Sequence, residues 1–512
     1  MNRGRIAGLF LLMVGLAGAS VAAEKSAVAD AAEQRNSALI RKLLDARADV
    51  NATQVDGMTA LHWAVYNDDV EMARLLVRAG ANVKAVNRYG VPPLSLASTN
   101  GNAEMVKLLL EAGADAKAAL PGGETVLMTA ARAGNLDTVK ALLARGADPN
   151  ARERNDQTAL MWAAAEGHTP VVKALIESGA DIRAKVKSGF TPLFFAVREG
   201  QIEVARTLLE AGVNVNETFQ GDRLARKGLA KGISPLLMAV ENGHFELAIA
   251  LVDAGADPND ERTGFTPLHT MSWVRKPDVS DSGDPPPIGS GRLTSLQFVR
   301  ALVERGANVN KPLDGSVLRP PNSLTLVGTE GATPLLMAAD RADAPFMRLL
   351  ITLGADPHVP NADGTTPLMA AAGLGTANPL EEAGTEPEAL EAVQLLLDLG
   401  ADINAVDYNG NTAMHGAAEG FFPTIVQLLA DRGADVNIWK RPNFEQSTPL
   451  FIAEGYRRGR PQRSKPTIDA IERLMVTKGL PTDGARPARR DTYEKERAAR
   501  ERENRTPKTP KP

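Results

Sequence analysis

The sequence contains no cysteine. Disulfide staples, thiol nucleophiles, Cys-based zinc sites and an N-terminal lipid-anchored Cys are therefore excluded. Aromatic residues make up only 4% of the 512 residues, too few for one large conventional core. Neither sign of charge dominates: 58 Lys and Arg face 62 Asp and Glu. Such a balance gives no global field for nucleic acid. Long apolar runs are missing as well, except at the N-terminus. There Arg3 and Arg5 precede the apolar stretch Ile6 to Ala19, and small residues follow at Ser20 to Ala23. A basic start, an apolar core and a small-residue cleavage site read as a secretory signal peptide over 1–23. The mature chain is then expected in a periplasm or outside the cell, with no membrane span left once the leader is removed.

What is abundant is repetition. The tetrapeptide Thr59-Ala60-Leu61-His62 returns at Pro92, Thr125, Thr158 and Thr191 in steps of 33 residues, then at Ser234, Thr266, Thr333, Thr366, Thr412 and Thr448. That makes eleven copies. A second element, an apolar pair followed by Gly-Ala-Asp or Gly-Ala-Asn, keeps step with it, as in Leu142-Leu143 with Gly146-Ala147-Asp148. Each piece has a mechanical role. Thr caps a helix, and a Pro just after it sits at the first helical position, where no N–H is needed. Small residues such as Ala163-Ala164 and Ala338-Ala339 let a partner helix approach. The second helix carries apolar residues at helical spacing, among them Val106, Leu109 and Leu110, or Val139, Leu142 and Leu143. Gly146 and its equivalents end it in the left-handed region. An Asp- and Asn-rich hairpin then leads to the next copy.

This pattern resembles the ankyrin repeat, whose 33-residue period and Thr-Pro-Leu-His signature it shares. The resemblance covers 28–480 and implies an all-α repeat solenoid with β-hairpin tips, about 11–12 repeats long. An exported member of that family, of bacterial type, is expected. Only His62, His269 and His415 keep the signature histidine, which in this family is expected to tie neighbouring hairpins together. Residues 28–55 and 445–480 read as terminal caps, and Arg47 stands where a Gly is expected. From Pro481 to 512 the chain is rich in charge and proline and reads as a disordered tail.

Four insertions break the period: 216–231 and 311–329 at hairpin tips, 273–292 and 373–387 between the helices of a repeat. Such loops are either tolerated drift or part of a binding face. Arg152, Arg154, Lys185, Lys187, Arg223, Arg226 and Lys227 belong to three successive tips. Stacked, they form a basic rim, which is either a solvated edge or a surface that steers an acidic partner. Tyr66, Tyr89 and Tyr408 fall at turn and tip positions, and Trp439 at a late tip is expected to be an exposed contact. Trp63, Trp162 and Phe195 share one position on the first helix and read as core filling rather than as a ligand-facing ladder.

No Walker loop, zincin helix or nucleophile elbow is present. Every histidine has a structural position, so no catalytic residue, cofactor or metal site is assigned. The expected function is therefore a monomeric scaffold that grips a protein outside the cytoplasm with the concave face of the array. Two alternatives remain. One is an enzyme or ligand sensor built from the insertions, which a cluster of carboxylates with raised pKa would favour. The other is a surface or host-directed effector with the same fold.

Overall fold

The protein is represented by a computed structural model. It describes residues 26–219, 232–278, 285–314, 325–379, 382–456, 462–483 and 486. The expected leader and nearly all of the expected tail lie outside the described residues.

Two compact units divide after Val213. The first holds six helix pairs: α1 (Ala27–Glu33) with α2 (Ser37–Asp45), α3 (Ala60–Tyr66) with α4 (Val70–Arg78), α5 (Pro93–Asn100) with α6 (Ala103–Glu111), α7 (Val126–Ala133) with α8 (Leu136–Ala144), α9 (Ala159–Glu166) with α10 (Thr169–Glu177), and α11 (Pro192–Arg198) with α12 (Ile202–Glu210). The second begins with α13 (Pro235–Glu241) and α14 (Phe245–Asp253), α15 (Pro267–Arg275) and α16 (Ser295–Glu304), α17 (Pro334–Asp340) and α18 (Ala344–Thr352). It continues with α19 (Pro367–Ala371) and α20 (Glu386–Asp398), α21 (Ala413–Glu419) and α22 (Pro423–Asp431), a single turn α23 (Val436–Trp439), and the last pair α24 (Pro449–Ala453) and α25 (Lys465–Thr477). Within each unit first helices pack on first helices and second on second, so each repeat touches only its neighbours.

The caps are those the sequence implies. Thr191 Oγ1 accepts from the Phe194 amide at 3.3 Å, and Thr333 Oγ1 from Leu336 at 3.2 Å, with Pro at the first helical position of both helices. Five second helices, α2, α4, α6, α8 and α18, are capped by an Asn or Asp side chain; Asp69 accepts from the Met72 amide at 2.8 Å. One leucine per second helix is sealed from solvent: Leu76, Leu109, Leu142, Leu175 and Leu208 recur at the repeat period, each 0% exposed. Each contributes about 1.5–3 kcal/mol by leaving water. Leu143, expected beside Leu142, is only half-buried. The 100° step to the next residue turns it toward the side of the stack. Gly146 has φ +82°, the left-handed turn assigned to it, and Arg47 is held at φ +59° where a Gly was expected.

Two of the three signature histidines, His62 and His269, tie their turn to the next tip, while His415 bonds to Thr412 Oγ1 at 3.0 Å. His62 Nδ1 pairs with Thr59 Oγ1 at 2.8 Å and its Nε2 with the Val91 carbonyl of the next tip at 3.0 Å. His269 repeats this with Thr266 Oγ1 at 2.7 Å and the Ala332 carbonyl at 3.1 Å, bridging the whole of two insertions.

The tips are short hairpins, closed by backbone bonds such as Asn87 N to Val91 O at 3.2 Å or Asp407 N to Asn411 O at 2.9 Å; among the described residues Ala119 and Thr125 also form an antiparallel bridge. Two expected boundaries shift. The insertion assigned to 273–292 starts after Arg275, because α15 runs on until the buried Trp273 packs edge-on against Phe265, 5.0 Å between centroids. The tail boundary at 481 is early. Arg486 donates to Glu454 Oε1 at 2.7 Å and lies over the Phe451 ring, so the chain still packs on the last repeat there.

Candidate protein-binding surface

Several tips are organised by an Asn or Asp that accepts from the amides two and four residues on. Asn361 accepts from Asp363 and Thr365 at 3.0 and 2.8 Å, and Asp407 from Asn409 and Asn411 at 2.9 and 2.7 Å. Adjacent tips exchange one backbone bond: Arg154 N to Gly122 O, Tyr408 N to Asp363 O, Phe444 N to Asn409 O. The amide is turned toward the neighbouring tip and the side chain outward. Tyr408 is therefore 84% exposed and Phe444 83%.

In the first unit Tyr66 and Tyr89 are exposed as expected, Tyr66 standing edge-on to Trp63 at 5.6 Å. Arg152, Arg154, Lys185 and Lys187 are exposed on successive tips. Two of them are engaged in holding those tips together: Arg152 Nη1 donates to the Lys185 carbonyl and Lys187 Nζ to the Arg154 carbonyl, both at 3.0 Å. Arg223, Arg226 and Lys227 lie outside the described residues. The rim is thus seen only in its first four members, and half of these act as tip-to-tip staples. Of the shared aromatic position, Phe195 is core, whereas Trp63 and Trp162 are half-buried. Trp63 donates its indole N–H to Gln54 Oε1 at 2.7 Å, and that of Trp162 is buried without a partner.

Trp439 is not an exposed contact. It is 4% exposed, at the end of α23, in a groove walled by Leu450, Phe451, Met475 and Arg486. The step from Thr412 to Thr448 is three residues longer than the period. Those extra residues wind into the single turn α23, which turns the indole inward. Counting back from Thr448 instead of forward from Gly433 places Phe444, not Trp439, at the position of Tyr408. That signal was readable in the sequence and identifies the exposed aromatic.

The second unit holds a cleft of about 290 Å³ that the motifs did not reveal. Its floor and tips bring Asp363, Asp407, Glu419, Asn443, Phe444 and Glu445 from three successive repeats. Two insertions supply its wall: Leu326, Val327 and Gly328 from one, Leu374 and Gly375 from another. The wall is tied by Leu326 N to Gly375 O at 2.8 Å, and Gly375 N donates to the buried Glu419 Oε2 at 2.7 Å. Four carboxylates line the cleft, and no Lys, Arg or His does. Burial pushes the Asp407 carboxyl above its ordinary range, against the pull of its Asn411 and Asn409 bonds, and the charge of Asp363 adds to the rise.

A second cluster of carboxylates lies behind this wall. Arg341, 3% exposed, is paired with Asp278 and lies 3.7 Å from Asp340. Asp278 also accepts from the Ala383 amide at 3.1 Å, and Asp340 from Thr325 Oγ1 at 2.7 Å. Burial raises Asp340, and it raises Glu382 to about 7 with help from the charges of Asp340 and Asp278. Such raised carboxyls are the feature expected of an enzymatic alternative. Asp278, Asp340 and Arg341 line none of the described clefts. What the cluster joins is the insertion after α15, the insertion after α19 and the turn between α17 and α18. Among the described residues no group of three ligating side chains could hold a metal ion, and no helix is long and apolar enough to cross a membrane.

Comparison with known proteins agrees with this architecture. Family models describing ankyrin repeats, in three or many copies, match 28–119, 121–219, 193–252, 335–440 and 380–458. The B-cell lymphoma 3 protein homolog of Mus musculus is 35% identical over 199 residues, 38% of this chain and 40% of that protein. Ankyrin repeat and SOCS box protein 6 of Homo sapiens is 31% identical over 168 residues, 32% of this chain and 37% of that protein. Neurogenic locus notch homolog protein 1 of Xenopus tropicalis is 28% identical over 195 residues, 38% of this chain but only 6% of that protein. The match covers less than half of each relative's length, so what is shared is the repeat array. Ankyrin repeats generally serve as protein-binding scaffolds, and with the greater part of its length matched by their sequence pattern and folded as stacked capped helix pairs, the chain belongs to the ankyrin-repeat family.

Proposed function

We propose that this protein is an exported binding module whose second unit grips a segment of another protein in the cleft between Leu326, Phe444 and the tip carboxylates. The observation that carries this reading is the combination of two tip aromatics more than four-fifths exposed, Tyr408 and Phe444, with a cleft that is acidic and partly apolar. Exposed aromatics beside a concave site are the usual anchors of protein contacts. The chemistry favours a basic segment with apolar neighbours. Location outside the cytoplasm rests on the basic, apolar and small-residue sequence of 1–23. The first-unit rim is a weaker candidate, because Arg152 and Lys187 already bond to neighbouring tips.

A photo-crosslinking residue placed at Tyr408 or Phe444 in the native host tests the surface. Adducts with one recurring protein are expected there and not at Glu71, on a second helix of the other unit. Equal labelling at all three positions would sink the reading. Mass determination of the native protein tests export: the mature chain should begin near Ala23 or Glu24, and retention of Met1 speaks against it.

A further inference from the structure

The acidic cleft has a candidate occupant within the same chain. Residues 487–512 carry nine basic residues against five acidic ones, and they end in Arg505-Thr-Pro-Lys-Thr-Pro-Lys-Pro. Pro507 and Pro510 are three apart, and so are Arg505, Lys508 and Lys511. A polyproline II helix turns once in three residues with a rise of ~3.1 Å each, so in that form the three cations share one face at intervals of about 9 Å. The prolines then occupy a neighbouring face.

The exposed acids of the cleft have a matching separation. Asp363 and Glu445 stand at equivalent positions of two tips and are exposed, whereas Asp407 on the tip between them is buried and bonded to Asn409 and Asn411. The first helices behind those tips, α19, α21 and α24, pack on one another in turn. Packed helices lie roughly 8–10 Å apart, so two repeats correspond to about two polyproline turns, the separation of Arg505 from Lys511. Phe444 and Leu326 offer apolar surface to the proline face, in the way that aromatic-lined grooves take Pro-rich segments. Distance is no obstacle. Arg486 is fixed on Glu454 of the last repeat, and the eighteen residues from 487 to 504 span up to about 60 Å.

We propose that the segment Arg505–Pro512 docks in the cleft of its own chain, its outer cations against Asp363 and Glu445, and so competes with the external partner for it. This rests on reading the cleft as a binding surface, and it makes the tail an internal brake on that surface.

The test uses a fluorescein-labelled peptide of residues 504–512 and the full-length protein. Full-length chain carrying Arg505→Glu, Lys508→Glu and Lys511→Glu has its own tail repelled from the cleft. It should bind the peptide at least ten-fold more tightly than wild type, whose tail occupies the site. Adding Asp363→Lys and Glu445→Lys should remove that binding; both residues are exposed, and Asp363→Asn with Glu445→Gln serves as a milder pair should the reversal disturb folding. A peptide of the same composition with its three cations adjacent should bind at least five-fold more weakly. Equal affinity of wild type and tail variant overturns the proposal, as does failure of the peptide to bind either. Equal binding of the rearranged peptide overturns the tail assignment while leaving the cleft as a surface for basic segments. A tail effect seen only with dimers in sedimentation would assign the cleft to a second copy and overturn it too.

Discussion

Replacing His269 by Asn tests how the array is fastened across its longest interruption. The imidazole is fully buried and bonds to Thr266 Oγ1 and to the Ala332 carbonyl, 63 residues away. A carbonyl only accepts, so the proton sits on Nε2, and Nδ1 accepts from the Thr hydroxyl. Asn keeps a bond near Thr266 but is too short to reach Ala332. The Ala332 carbonyl still accepts from the Leu313 amide at 2.9 Å, so the loss is one hydrogen bond, about 1 kcal/mol at pH 8. The loss also depends on pH. Burial depresses the His269 pKa from 6.5 to about 3. Below pH 6.5 the unfolded chain takes up a proton that the folded chain refuses, so the stability supplied by the histidine falls as the pH falls, by about 1.4 kcal/mol per unit. At pH 5 about 2 kcal/mol is gone, so the variant should be at least as stable as wild type there. Amide exchange in α15 to α17 is the suitable assay, because a long array need not unfold in one step. A destabilisation of the same size at pH 8 and pH 5 would refute both the neutral tether and the sign of its titration.

Other substitutions separate local causes. Gly134→Ala should cost about 1 kcal/mol more than Gly146→Ala, since both hold a left-handed turn but a Cβ at 134 lands 2.5 Å from the His168 ring, whereas at 146 nothing lies closer than 4.0 Å; paired urea titrations would show equal losses if the ring contact were immaterial. Trp439→Ala should destabilise the last pair by about 3–5 kcal/mol, the cost of a large buried side chain, and proteolysis between α24 and α25 reads it out; unchanged stability with lost partner binding would restore the indole as a contact. Arg341→Met should cost about 3–5 kcal/mol near pH 7, because it strands Asp278 and Asp340 in the interior. An unchanged denaturation midpoint would mean that the buried pair is already neutral.

The fold was legible because its grammar is local. Thr or Ser before Pro, paired small residues, Gly-Ala-Asp and the 33-residue step each act within one repeat, and neighbour packing does the rest. The tethers of His62 and His269 followed from the same grammar. The cleft was not legible, because no single stretch contains it. Asp363, Asp407 and Glu445 sit 44 and 38 residues apart, and they come together only because repeats stack. Leu326 and Gly375 join through one backbone bond between two insertions, which no periodicity encodes. Trp439 misled because an indole beside a tip reads as exposed until the three extra residues before Thr448 are counted.

The insertions themselves argue against neutral drift. Loop entropy alone would let them lengthen at about 0.6 kcal/mol per doubling, and free loops would need no internal contacts. Here the loops after α15 and α19 meet across the intervening repeat through Asp278, Arg341 and the Ala383 amide, and the third reaches them through Thr325 and Leu326. Buried charges are an uneconomical way to gain stability, since apolar residues of similar volume serve as well. What a charged, bidentate and directional partner does supply is position. Arg275, bonded through two nitrogens to both Asp343 oxygens, fixes the end of α15 against the start of α18 in the same way. A wall held in register by such contacts keeps Leu326 and Gly375 opposite Phe444 and the tip carboxylates, so the cleft has a fixed width.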